Sequence, residues 1–90
     1  APELRGATLT GVDLSRVSLA GADLAGSSLA GSKLTGADLT GADLTGVDLT
    51  NATLRGAKLG GAKLNKVTWN NTICPDGTNS DRGKTCKGHL

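Results

Sequence analysis

The sequence predicts an all-β solenoid, and three observations carry that prediction. Leucine recurs at every fifth position from Leu4 to Leu64, glycine follows two places later in nearly every unit, and large aromatic side chains are almost absent. The 90 residues include 14 glycines, one tryptophan and no phenylalanine, tyrosine or methionine. Folding around a few aromatic side chains, each burying roughly 150–250 Å², is therefore closed to this chain. Composition of this kind otherwise suggests disorder; the regular spacing argues against it.

The leucines are Leu4, Leu9, Leu14, Leu19, Leu24, Leu29, Leu34, Leu39, Leu44, Leu49, Leu54, Leu59 and Leu64, and Trp69 and Cys74 continue their phase. Two places before each stands a small residue, such as Ala22, Ser27, Ser32 or Val47, and just before it a polar one, such as Asp23, Lys33 or Asp38. Neither the 3.6 period of a helix nor the 2.0 period of a long strand fits a repeat of five. On an α-helix the leucines would march around the surface, and a glycine in every unit would cost about 1 kcal/mol each. The order small-in, polar-out, leucine-in is strand alternation over three residues, and the remaining two form a corner. Glycine as the second corner residue suits a type II turn, which needs φ > 0 there. Asn51 accepts that geometry; Arg16 and Lys66 are expected to use another type of corner. A chain that bends the same way every five residues winds into stacked coils, with the leucines as interior ladders and Trp69 closing one of them. Ser27 and Ser32, facing inward, are expected to bond nearby carbonyls.

The run from Leu4 to Trp69 resembles the pentapeptide-repeat proteins, whose loose consensus Ala-(Asp/Asn)-Leu-x-x is met by Ala22-Asp23-Leu24, Ala37-Asp38-Leu39 and Ala42-Asp43-Leu44. The resemblance implies a right-handed quadrilateral β-helix with four units per coil, hence about three and a half coils here. Residues twenty apart then stack: Leu4, Leu24, Leu44 and Leu64 in one ladder, Leu9, Leu29, Leu49 and Trp69 in another. Outside, Asp13 meets Lys33, Asp38 meets Lys58 and Asp43 meets Lys63, while Glu3, Asp23 and Asp43 stack like charges. Exposed pairs of this kind contribute about 0–1 kcal/mol each.

Residues 1–69 are expected to form the β-helix and residues 70–90 a capping loop, since turn formers dominate beyond Trp69 and solenoid ends need covering. Cys74 and Cys86 are expected to join in a disulfide, which closes a loop of about 13 residues and is worth about 3 kcal/mol in the chain-entropy picture. Free thiols are one alternative, and zinc held by Cys74, Cys86 and His89 another, although that set lacks a fourth ligand. Asp76, Asn79 and Asp81 offer oxygens without spelling a twelve-residue calcium loop. Trp69-x-Asn71-Thr72-x-Cys74-Pro75-Asp76-Gly77-Thr78-x-Ser80, a later Thr85-Cys86 and a Gly88-His89-Leu90 end resemble the terminal module of secreted or surface-attached bacterial pentapeptide-repeat proteins. That resemblance implies an oxidising compartment, in keeping with paired cysteines. The sequons at Asn51 and Asn70 read as ordinary turn residues.

Charge divides the chain. Residues 1–50 hold six acids and three bases, a net of −3, and residues 51–90 two acids and seven bases, a net of +5. In a solenoid this makes an axial dipole with a basic C-terminal end. No window approaches the ~20 apolar residues of a membrane helix. No catalytic constellation is present and no cofactor is expected: His89 is the sole histidine, and general acid–base chemistry needs groups held about 3 Å from a substrate proton. The expected function is a non-enzymatic, secreted or cell-surface structural and interaction module with an unknown protein or cell-wall partner. A second reading, carried by the family resemblance, is DNA mimicry on a topoisomerase, which asks for an acidic rod rather than a net charge of +2. A third is weak polyanion binding through the basic end. Nucleic acid read by base stacking is not expected without aromatic platforms. The chain begins in mid-repeat at Pro2-Glu3-Leu4, so either the first coil associates end to end with another copy or the chain continues a longer one.

Overall fold

The computed structural model describes residues 3–82 and Cys86. Its backbone is organised by parallel bridges between residues twenty apart: Glu3 with Asp23, Thr8 with Ser28, Asp13 with Lys33, Ser18 with Asp38, and so on to Thr53 with Ile73. Twenty residues are four units, so the coil has four walls. We number the walls by their leucine ladders: wall 1 carries Leu4, Leu24, Leu44 and Leu64; wall 2 Leu9, Leu29, Leu49 and Trp69; wall 3 Leu14, Leu34, Leu54 and Cys74; wall 4 Leu19, Leu39 and Leu59. The expected three-residue strands are reduced to one bridging residue per unit, because the corner on either side leaves no room for a longer ladder. The molecule measures 32 × 23 × 20 Å.

The unit around Leu44 shows how five residues satisfy five backbone donors, as a packed backbone requires. The Ala42 N–H closes the preceding corner on Leu39 O at 3.0 Å, and the Asp43 N–H donates back one coil to Ala22 O at 2.9 Å. The Leu44 and Gly46 N–H groups donate forward one coil to Lys63 O and Asn65 O, both at 2.9 Å. The fifth, the Thr45 N–H, donates to Oδ1 of Asp43 at 3.0 Å. The polar residue before each leucine is therefore part of the corner whenever it is aspartate.

Glycines at the second corner position lie at φ near +70°, from Gly6 to Gly61. Arg16 (φ 62°) and Lys66 (φ 59°) adopt the same left-handed geometry, contrary to the expectation of a different turn. The reason is the coil itself: the Arg16 N–H must donate to Thr35 O, at 2.8 Å, for the stack to continue. That requirement outweighs the roughly 1–2 kcal/mol a non-glycine residue loses there. Asn51 (φ 61°) and Asn71 (φ 52°) behave as their type allows.

Nine ladder leucines, Leu19 through Leu59, are buried and form the core together with Ala22, Ala37, Ala42, Val47, Ala52 and Ala57. Leu4, Leu9, Leu14, Leu64 and Trp69 pack against it while remaining partly exposed, since each lies at an end of its ladder. Ser32 donates to Leu29 O at 2.6 Å, as expected. Ser27 does not follow: its Oγ is buried without a hydrogen-bond partner, and nothing in the structure explains that choice. Among the described residues, no helix is long and apolar enough to cross a membrane.

Candidate interaction surface

Since leucine and small side chains occupy the interior, the residues available for recognition are the outward ones, the corners and the C-terminal end. The C-terminal end is built by a reversal of the chain. Ile73 still bridges Thr53 in the coil register, and Leu54 donates to Ile73 O at 2.8 Å. The path thus runs one unit past Trp69, the expected limit of the β-helix. Pro75-Asp76-Gly77 then forms a three-residue hairpin loop. The Gly77 N–H donates to Cys74 O (2.8 Å), the Cys74 N–H donates to Thr78 O (2.7 Å), and Gly77 sits at φ 90°. Proline at the first corner position and a left-handed glycine closing the loop are the residues this hairpin demands.

The returning segment bridges Asn79 antiparallel to Ile73 and ends in the 3₁₀ turn Ser80–Arg82. It occupies the place a further coil would take. The Ser80 N–H donates to Thr72 O at 2.7 Å, the Thr72 N–H donates to Ser80 Oγ at 3.0 Å, and the Asn71 N–H donates to Asp81 Oδ1 at 2.8 Å. Thr72 also donates its hydroxyl to Leu49 O at 2.6 Å. A run of amides follows the corner between walls 2 and 3, Asn79 donating to Asn71 and Asn71 to Asn51, each at 2.8 Å. Cys74, in the leucine phase above Leu54, is joined to Cys86 with Cα atoms 5.5 Å apart, and both are fully buried. The sulfurs that a zinc site would need as thiolates are thus bonded to each other. His89, Lys84 and Lys87 lie outside the described residues. Among the described residues, no group of three metal-ligating side chains comes together; an oxygen of Asp76 and one of Asn79 serve local turns, and one of Asp81 accepts from the Asn71 N–H.

The aspartates on the walls are committed in the same way. Asp38, Asp43 and Asp48 each accept from the N–H and the hydroxyl of the threonine two places on, at 3.0 and 2.6 Å. These hydrogen bonds hold the carboxyls of Asp38 and Asp43 below their ordinary range, with the lysine of the next coil a lesser cause, and Ser15 lowers Asp13 likewise. Asp23 is lowered chiefly by Arg5, which meets it at 2.7 Å in an exposed ion pair. The stacked columns Asp13 to Lys33, Asp38 to Lys58 and Asp43 to Lys63 are all present as bridges, confirming the twenty-residue register. Their ammonium groups, however, do not come within 4 Å of those carboxylates, in contrast to Arg5 and Asp23.

Sequence reasoning placed the aspartates outside and missed their role in the corner. The signal was Asp-Leu-Thr at Asp38, Asp43 and Asp48, where a carboxylate two residues before a hydroxyl forms a local turn. It also missed the amide run, which the spacing of Asn51 and Asn71 by one full coil announces.

A sequence model of the pentapeptide repeats matches residues 3–41 and 32–68. Among solved structures, the chain is similar to HetL, a pentapeptide repeat protein involved in heterocyst differentiation regulation from the cyanobacterium Nostoc sp. PCC 7120. The identity is 33% and the TM-score 0.57, over 84% of this chain and 42% of that one. It is also similar to alr5209, a pentapeptide repeat protein from Nostoc PCC 7120, at 38% identity and TM-score 0.52 over 73% of this chain and 59% of that one. The chain thus spans less than two thirds of either relative's length. A comparison with curated protein sequences finds no significant match. Proteins with these repeats form right-handed quadrilateral β-helices and act in general as non-enzymatic interaction modules. Repeat match, twenty-residue register and structural likeness agree, and the chain belongs to the pentapeptide repeat family.

Proposed function

We propose that this chain is a non-enzymatic binding module, secreted or held at a bacterial cell surface, whose rigid walls and C-terminal end present side chains to a protein or cell-wall partner. The observation that carries the reading is how fully the inside is used. Leucine ladders and small residues fill the core, and each donor of the Leu44 unit is spent on neighbouring coils or its own corner. Binding sites for small substrates are concave and partly apolar; this column offers its exterior instead. The buried Cys74–Cys86 bridge supports an oxidising compartment. Polyanion binding is favoured over mimicry of DNA by the exposed bases of the last complete coil, Arg55, Lys58, Lys63 and Lys66.

The test is affinity capture with the intact disulfide-bonded chain, using extracellular and cytosolic fractions of the source cells. A partner enriched from the extracellular fraction, and lost when outward residues of one wall are replaced, supports the reading. Capture confined to the cytosolic fraction, or binding insensitive to every wall, overturns it.

A further inference from the structure

We infer that the last complete coil carries a basic collar built to wrap a flexible linear polyanion of phosphodiester or phosphate units; this rests on the binding-module reading and names its partner class. Arg55 stands at the corner between walls 3 and 4, Lys58 on wall 4, Lys63 on wall 1, and Lys66 at the corner between walls 1 and 2. All four are exposed, and none makes an ion pair within 4 Å with a described residue. The acids that stack on two of them are engaged elsewhere: Asp38 and Asp43 turn an oxygen into their own corners, onto Thr40 and Thr45. Lys58 and Lys63 are meanwhile anchored through their backbones, donating to Ala37 O and Ala42 O at 2.9 Å. The cations are thus spaced by a rigid frame, and without a close ion pair to a described residue their ammonium and guanidinium groups stay open to a ligand.

Gly60 and Gly61 form the corner between Lys58 and Lys63. Gly61 is left-handed, at φ 69°, as its position requires. Gly60 is not in the left-handed region, so its backbone makes no demand for glycine, and a side chain there would meet nothing within 4 Å. The absence of a side chain leaves this edge of the column bare between two lysines, where a polymer crosses from one wall to the next. A chain following the collar bends around that edge, which a flexible single strand does easily and duplex DNA, with a persistence length of about 150 base pairs, does not.

The cations also fix the ligand's chemistry. Three of the four are lysines, hydrated point charges that accept a phosphate from many directions. The guanidinium of Arg55 lies 3.2 Å from where a Cβ would stand on Gly77, so it rests beside the hairpin while Arg55 stays exposed. Trp69, the sole aromatic residue, is partly buried in its ladder, so bases find no platform. Recognition is therefore by charge along a polymer, independent of its sequence.

The experiment measures binding of the oxidised chain to labelled oligo(dT), to inorganic polyphosphate, to poly(glycerol phosphate) and to a DNA duplex, at 50 and 200 mM salt. With about four contacts on a flexible strand at roughly 0.7 released counterions each, the fourfold rise in salt weakens binding about 50-fold. K58A combined with K63A reduces that loss to about 7-fold, and G60L weakens the three flexible polymers several-fold while leaving the duplex unchanged. Similar binding of all three flexible polymers, or of poly(glycerol phosphate) above oligo(dT), supports the collar, the second pattern pointing to a wall-type source. The collar is overturned if oligo(dT) alone binds, if the duplex binds as tightly as the flexible strands, or if only replacing Arg82, Lys84 and Lys87 abolishes binding. Partner capture that survives in the absence of any polymer binding overturns the collar alone; absence of both overturns the binding-module reading with it.

Discussion

The first described coil and the C-terminal hairpin pack their ladders differently. At residues 3–22 the ladder leucines Leu4, Leu9 and Leu14 are partly exposed, Val12 is 37% exposed, and the N–H groups of Thr8, Asp13 and Ser18 find no backbone acceptor among the described residues. Around the hairpin Thr72, Cys74, Ser80 and Cys86 are buried, and the groups that would bond a further coil on wall 3 are taken by Thr78, Ser80 and Asp81. Closing a ladder takes something that satisfies both its apolar end, which Leu64 and Trp69 leave partly exposed on walls 1 and 2, and the polar edge of its backbone. The hairpin does so on wall 3, where Cys74 replaces leucine.

The largest test of that contrast is Leu54→Ala against Leu4→Ala. Leu54 is fully buried beneath Cys74, and its truncation should cost about 2–5 kcal/mol. Leu4, already partly exposed, should cost less than half as much; equal losses in denaturant titrations would show that the first described coil is as cohesive as the one under the hairpin. Next, Cys74→Ser with Cys86→Ser, or reduction of the bridge, should remove about 3 kcal/mol. Hydrogen exchange should then accelerate at residues 70–82 and stay unchanged at 3–22, and acceleration everywhere would mean that the bridge supports the whole column.

Smaller again is Gly77→Ala. Its φ of 90° and the Arg55 guanidinium 3.2 Å from the new Cβ combine to a loss of about 1–3 kcal/mol. Gly11→Ala, with φ 68° and nothing within 4 Å, should lose about 1–2 kcal/mol. Thermal melts that rank Gly11→Ala the more damaging would contradict a strained, packed hairpin. Acid should have the mildest effect. Asp13, Asp23, Asp38 and Asp43 are all lowered in the folded state, so the folded form binds protons less readily than the unfolded chain. Their stabilisation is complete above the unfolded value of about 3.9 and is lost as pH falls through the folded values. Because all four lie in the N-terminal half, hydrogen-exchange protection factors, taken relative to the intrinsic rate at each pH, should fall between pH 5 and 2.5 at residues 3–50 before residues 54–82. The reverse order would show that these turns do not support their coils.

The period of five made the ladders, the inward small residues and the corners legible in the sequence, because each is a local rule repeated many times. The stacking of Asp13 on Lys33 needed the four-unit coil as well, which came from the family resemblance. What was not legible depends on events that occur once. Arg16 takes a left-handed corner because its N–H must reach Thr35 O in the neighbouring coil, and Lys66 takes the same geometry. Pro75-Asp76-Gly77 reads in the sequence as loop, although it spells a hairpin whose partner strand, at Asn79, is too short and polar to announce itself. The basic collar is visible as a charge imbalance, but its lack of ion pairs with described residues follows from where the aspartates turn their oxygens, a matter of side-chain geometry.

The register of twenty has a consequence for how such columns change length. Removing or adding a block of twenty residues leaves the hairpin above the same wall and the sulfur bridge above the same file of leucines. A block of five, equally faithful to the repeat, would rotate the terminal structure by a quarter turn against everything beneath it. Pro75, Asn79 and Cys86 would then face a neighbouring side with different partners. Growth in whole storeys is silent, whereas growth by a single step redirects the end of the molecule.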